Sequence, residues 1–383
     1  MDRQRQGGRK SALKRMVCVT AGAALVVGIG TALTDSTPGL AALSEGAALY
    51  SALFTLPEGG RQYLRQQTAH AAGLPATAPP AQSSSEALPA SSAASSPASS
   101  QPSASSAPPA SSQAPLPSGV KGRIVSQQIL KTVGNRHSGD VYLSKNTNTD
   151  VDIAAELGKK PDLKMTLGQQ PEVLILHTHA TESYFPEGRD TYTAADQYSS
   201  TDNSKNIVKV GETLAAKLTA TGVKVLHDKT RHDEPSFTAS YSRAAATIKS
   251  YLKKYPGIKV VIDLHRDSIS KENSTDKLKT VATIKGKTAA QVMLVNGCNE
   301  GRVTDFPNWR SNLRLSLRVQ QELEKSYPGL ARPVRLVAAR YNQNLTKGSM
   351  LIEVGTEANT LSEALYSAEL LGDALGRVLK TLK

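Results

Sequence analysis

Three short stretches hold residues whose types and spacing could do chemistry. VLILHTHATESY (173–184) ends an apolar run in His177 and His179, with Glu182 three positions after the second imidazole. IKVVIDL (258–264) runs into His265, Arg266 and Asp267, and MLIEVG (350–355) carries Glu353 at the end of its apolar run. Histidines with a glutamate suit a catalytic zinc ion (Zn2+), which takes three such ligands and leaves a fourth position for water. His179 and Glu182 form H-x-x-E, a spacing that one helical turn can aim at a single ion, and His265 would complete the set. Glu353 would then be the separate carboxylate that takes a proton from activated water. His177 lies so close to His179 that either imidazole could be the first ligand.

Other chemistries find less support. There is no G-x-S-x-G nucleophile elbow and no G-x-x-x-x-G-K-[ST] phosphate loop. Cys298, in VNGCNEG, has no histidine near it in sequence. His227 and His232, in HDKTRHD, read as a polar surface loop that offers no third cluster, and His70 and His137 lie away from the strand ends.

The elements that must position these groups alternate in period. Strand-like runs occur at 173–176, 223–226, 258–264, 290–296, 334–338 and 350–354. Between them, 206–218, 241–255, 311–325 and 361–382 repeat apolar residues every three or four positions, as helices do. Gly222 and Gly257 stand where left-handed caps would stop two of these helices. The pattern predicts one α/β domain over 119–383, with a mainly parallel sheet and helices on both faces. Residues 119–170 should add a leading strand or a cap. In such sheets ligands bind beyond the carboxyl ends of the strands, which is where the three clusters fall.

The N-terminal third reads differently. Residues 1–15 hold six Lys/Arg and one Asp, and 16–33 hold no charge. A helix over that span would rise roughly 27 Å, close to the ~30 Å hydrocarbon layer of a bilayer. We expect a cytoplasmic basic segment (1–15) and a transmembrane anchor (16–33), with the rest of the chain extracytoplasmic; a cleaved signal peptide is the competing reading. A juxtamembrane region (34–74) would follow, and then an Ala/Ser/Pro linker (75–118) too poor in apolar residues to fold. With Cys18 in the span and Cys298 far downstream, the domain must rely on its core rather than on disulfides. The net charge of +13 suits anionic wall polymers and lipid headgroups, while 4% aromatic residues and an exported topology argue against nucleic acid.

Taken together, VLILHTHATESY, KNIVKVGETLAAKL, VVIDLHRDS and RYNQNLTKGSMLIEVGTEANTLSEAL resemble the stage II sporulation protein P family, over roughly 170–380 and in the same order. The anchor and linker are similar to that family's layout as well. The resemblance implies a zinc-dependent N-acetylmuramoyl-L-alanine amidase, with an amidase- or carboxypeptidase-like fold. It would cut the amide between N-acetylmuramic acid and L-alanine in peptidoglycan during septal wall degradation at engulfment. A sporulation glycan hydrolase and a membrane protein of the engulfment machinery would be its partners. By resemblance the ligands are His179 (or His177), Glu182 and His265, with Glu353 catalytic and Arg266 holding the oxyanion. Related amidases place the Glu ligand at the start of the following helix, where this chain has Lys205-Asn206; Glu182 takes the role here, as in carboxypeptidases with H-x-x-E. Glu353, Gly355 and Asn359 match an E-x-G-x-x-x-N pattern, and Asp267 and Asn359 are further candidates for ligands or supporting groups. The alternatives are a zinc peptidase that cuts stem peptides or cross-links, and a non-catalytic wall-binding activator of another hydrolase.

Overall fold

The structure, a computed structural model, describes residues 115–130, 135–271 and 274–383. The basic segment, the apolar span, the juxtamembrane region and residues 75–114 of the linker lie outside the described residues. Among the described residues no helix is long and apolar enough to cross a membrane.

In chain order the elements are β1 (Val120–Gln127), β2 (Arg136–Ser138), β3 (Val141–Asn146), α1 (Ile153–Leu157), β4 (Val173–Leu176), β5 (Thr191–Thr193), α2 (Ile207–Ala220), β6 (Val225–His227) and α3 (Ser240–Lys254). Then come β7 (Val260–Asp267), β8 (Lys277–Ile284), β9 (Lys287–Ala290), β10 (Val292–Gly297), α4 (Trp309–Ser326), β11 (Val334–Val337), a 3-10 turn (Gln343–Leu345), β12 (Gly348–Thr356) and α5 (Leu361–Lys380).

An eight-stranded sheet runs β2-β3-β11-β10-β12-β7-β4-β6, and a second, four-stranded sheet runs β5-β1-β8-β9. Both are mixed, which corrects the expectation of a mainly parallel sheet. In the large sheet β10/β12 and β2/β3 are antiparallel, and in the small one β1/β5 and β8/β9 are antiparallel. The connections give the reason. Parallel neighbours need a crossover, and α4 supplies one between β10 and β11. Between β11 and β12 there is only a 3-10 turn, so β12 enters the sheet running against β10.

Helices cover both faces of the large sheet. Alternate strand residues Val173, Ile175, Val260, Ile262, Leu264, Ile352 and Val354 pack with α2, α4 and α5 in the main core. The opposite residues, Leu174, Leu176 and Val261, pack on Ala244 and Ile248 of α3. Gly222 does take a left-handed φ of 92° after α2. Gly257 does not; α3 ends at Tyr255 and the glycine instead passes close to Pro171 O.

The start of α5 is fixed by a reciprocal cap. Thr360 accepts from Glu363 N, and the Glu363 carboxylate accepts from Thr360 N. Thr360→Ala should therefore lower the unfolding free energy by about 1 kcal/mol, read from the denaturant midpoint; an unchanged midpoint would refute the capping role.

Candidate metal centre

Alternation along β7 sends Val261, Asp263 and His265 to the α3 side of the sheet. The parallel register with β12 sets Glu353 beside His265 and Leu351 beside Asp263. β12 then bulges between Glu353 and Thr356, where Gly355 holds a φ of 69°. A Cβ there would meet Asn359 Oδ1 at 2.7 Å and Ala290 Cβ at 2.8 Å. The bulge ends the ladder just after Glu353 and leaves that side chain at the sheet's carboxyl edge.

His177 and His179 follow β4 but go separate ways. His177 shares the parity of Val173 and Ile175, so it faces α2, on the opposite side of the sheet from His265. Its Nδ1 lies 2.9 Å from Leu264 O, and its Nε2 lies 2.8 Å from His227 Nε2. A carbonyl only accepts, so His177 carries its proton on Nδ1 and accepts from His227 at Nε2. Both nitrogens are occupied, which removes His177 as the alternative ligand. Gly211 of α2 makes room for the pair; a Cβ there would stand 2.6 Å from His227 Nε2. Burial, followed by the neighbouring His227, holds the His177 ring down to about 3. Burial, followed by Lys229, holds His227 down to about 4.

His179 is different. It is 2% exposed, yet neither ring nitrogen has a hydrogen-bond partner. The ring lies flat on Phe237, with centroids 3.9 Å apart, and stands edge-on to His265 at 5.3 Å. Burial keeps the imidazole neutral, down to about 3, which is the form a metal requires. His265 Nδ1 lies 3.3 Å from Glu182 Oε2. Its Nε2 lies 2.9 Å from Asp263 Oδ1, close enough for charge attraction but out of line for a hydrogen bond. Burial alone would depress His265; the Asp263 and Glu182 carboxylates outweigh it and push it up. Glu353 Oε2 is buried without a partner, and burial, then the nearby Asp267, raises its carboxyl to about 8.

The loop that carries His179 and Glu182 is held from several sides. It is a turn, closed by Glu182 N donating to His179 O at 3.2 Å, rather than the helical turn expected. The HDKTRHD segment is a surface loop only at its middle, 229–231; Asp228, His232 and Asp233 turn inward. His232 is buried, with Nδ1 donating to His177 O at 2.8 Å, and Asp233 Oδ2 accepts from Thr181 N at 2.9 Å. Asn206 caps α2 and bridges to Ser183, while Ile207 N donates to Glu182 O at 2.8 Å. The start of α2 and the Glu182 turn are therefore neighbours, so a carboxylate from either could reach the same space.

The remaining candidates brace the surroundings. Arg266 sits one residue off the parity of His265, and its Nε and Nη2 donate to Ser183 O at 3.1 Å and Tyr198 O at 2.8 Å. As placed, it pins the Glu182 loop instead of offering donors to an oxyanion. Asp267 accepts from Arg332 Nη1 and Ser268 N, both at 2.8 Å. Asn359 accepts from Thr356 N and donates to Thr280 O and Glu363, so it shapes the bulge rather than the centre. Cys298 is buried against Thr147 and Thr149.

Among the described residues, no three His, Cys, Asp or Glu side chains already stand as a finished metal cage. The atoms nonetheless fit a zinc ion. His265 Nδ1 and Glu182 Oε2 are 3.3 Å apart, the separation of two ligand atoms each ~2.0–2.1 Å from a tetrahedral zinc. His179 offers unpartnered ring nitrogens within the same aromatic contact, and Asp263 stands behind His265 as a carboxylate that can steady a ligand ring. Leaving each buried polar group unsatisfied costs roughly 1–3 kcal/mol, so the cluster is poised for something the chain does not itself provide. Asp263 was legible as the residue two before His265 on one strand face. His227, His232 and Asp233 were legible only if β6 had been recognised as the strand beside β4.

The sequence profile of the stage II sporulation protein P family matches residues 93–376. Stage II sporulation protein P of Bacillus subtilis (strain 168) is 29% identical over 231 residues, covering 57% of this chain and 54% of that protein. The chain thus spans about half the length of the curated relative it matches. Among solved structures, apo N-acetylmuramyl-L-alanine amidase Ami1 from Mycobacterium abscessus is 14% identical with a TM-score of 0.31, over 56% of this chain and 99% of that one. N-acetylmuramoyl-L-alanine amidase AmiC2 of Nostoc punctiforme is 11% identical with a TM-score of 0.34, over 56% and 98%. The CwlD amidase from Clostridioides difficile, in complex with the GerS lipoprotein, is 12% identical with a TM-score of 0.32, over 55% and 98%.

The paired imidazoles make a pH prediction for metal-free protein. His227 binds a proton near 6.5 when unfolded but only near 4 when folded, so the unfolded state holds more protons between those values. Stability should be intact above about 6.5 and fall as pH drops toward about 4. His227→Phe should flatten part of that slope in denaturant titrations; an unchanged slope would show that the pair is not what titrates.

Proposed function

The chain belongs to the stage II sporulation protein P family, and we propose that it is a membrane-anchored, zinc-dependent amidase that cleaves the bond between N-acetylmuramic acid and L-alanine in peptidoglycan. One observation carries the reading: the unpartnered ring of His179 and the unpartnered Oε2 of Glu353 are buried around His265 and Glu182 at one sheet edge. His179, Glu182 and His265 would hold the ion. Zinc, when bound, supplies a Lewis acid and makes water acidic enough to be a nucleophile near neutral pH.

The chain's own groups do the rest. Glu353 Oε2, buried beside His265, takes the proton of the attacking water and returns it to the leaving amine nitrogen. Asp263 steadies the His265 ring, with Thr178 N and Oγ1 donating to its carboxylate at 2.8 and 2.6 Å. Arg266 fixes the loop that presents Glu182. The uncharged span 16–33 would hold the enzyme at a membrane, and the Ala/Ser/Pro linker would give it reach to the wall.

Full-length protein incubated with purified peptidoglycan should release stem peptides with new L-alanine amino termini while the glycan stays intact. Peptides severed within the stem would instead mark a peptidase, and wall binding without any product would mark a non-catalytic module. His179→Ala should lose zinc by elemental analysis. Glu353→Gln should keep zinc and lose turnover by roughly 100- to 10,000-fold; loss of zinc in that variant would make Glu353 a ligand.

A further inference from the structure

Tyr241 borders two spaces. Its ring stands edge-on to His179 with centroids 5.6 Å apart, and it also lines a cavity of about 550 Å³. That size lies within the roughly 300–1,000 Å³ of ligand pockets. The lining brings together three cations, Lys249 from α3, Arg302 and Arg340, with the amides of Asn342 and Asn344, and it contains no Asp or Glu. All three cations are exposed, and none forms an ion pair with a described carboxylate. Like charges gathered around a concavity without a counter-charge focus a positive potential into it and favour an anionic guest.

The cavity wall is also held in a costly backbone conformation. Tyr341 and Asn342 take successive left-handed φ values of 46° and 56°, which residues other than glycine adopt rarely. Asn342 Nδ2 donates to Tyr241 O at 2.8 Å, and Gln343 ties the turn to β10 by donating to Val295 O at 2.8 Å and accepting from Gly297 N at 2.9 Å. This turn sets Tyr341 against Tyr241, with centroids 5.6 Å apart, and places Arg340 at the rim.

We propose that the cavity is a subsite for the free carboxylates of the peptidoglycan stem peptide, with Lys249, Arg302 and Arg340 as their counter-charges and the Tyr241–Tyr341 pair as the wall along which the peptide passes to His179. The inference rests on the peptidoglycan reading above and names how that substrate is recognised. A stem peptide carries carboxylates on its second and third residues. Two extended residues reach roughly 7 Å, enough to pass the Tyr241 ring from a scissile amide at His179.

The test uses the tripeptide L-Ala-γ-D-Glu-meso-diaminopimelate, which lacks the muramoyl amide and so cannot be turned over, together with the same tripeptide amidated at every carboxyl group. In calorimetric titrations of the full-length chain, the acid form should bind at least about tenfold more tightly than the amidated form, the worth of one charge-assisted hydrogen bond. The triple variant Lys249→Gln, Arg302→Gln, Arg340→Gln should erase that preference without changing the thermal midpoint, since all three side chains are exposed. Equal binding of the two peptides by the unmodified chain, or an undiminished preference in the triple variant, would overturn the subsite. Cleavage of peptidoglycan by the unmodified chain with no peptide preference would remove the subsite and keep the amidase. A cation-dependent preference without any cleavage would keep the subsite and remove the amidase.

Discussion

The arrangement of the centre depends on one strand pairing, the parallel register of β7 with β12. It sets His265 level with Glu353 and sends both to the same face. A slip of one residue would turn each of them into the apolar core and bring Leu264 and Val354 outward. Nothing in the two side chains enforces the register. Ile262, Leu264, Ile352 and Val354, buried under the helices of the opposite face, do that. The position of the chemistry is thus fixed by the packing behind it.

Around that pairing, the polar residues divide into two kinds. Some spend their hydrogen bonds shaping the loops: His177 and His227 between α2 and the sheet, His232 and Asp233 beneath the His179 turn, and Asn359 in the bulge after Glu353. Others keep buried atoms without a partner, and His179 and Glu353 are two of these, both beside His265. In a folded chain buried polar atoms are normally paired, and what marks this place is that His179, His265 and Glu353 gather such atoms together at one sheet edge.

The central fold was readable because its strands and helices differ sharply in period. VLIL became β4 at the residues expected, and the four helix-period stretches became α2 to α5 with ends shifted by one or two residues. The β8–β9 hairpin was not anticipated, because KLKTVATIKGKTAA alternates lysine and threonine with small apolar residues and carries little hydrophobic contrast. The reversal of β12 against β10 escaped as well, since periodicity says where a strand is but not which way it runs. At the site, the three clusters were legible from their place at strand ends. The separate fates of His177 and His179 were not. They turn on which face a strand end presents, and that becomes visible only when Leu264 O and His227 stand next to one of the rings.

The ring of Phe237 lying flat on His179 has a kinetic consequence. His179, His265 and Glu353 are each no more than 2% exposed, so a bulky guest cannot touch them in the arrangement seen. Binding must be accompanied by a shift of the side chains above them, and the apparent affinity is diluted by the share of time the chain spends closed. Such a centre favours a guest that stays in contact long enough to meet an opening over one that passes briefly.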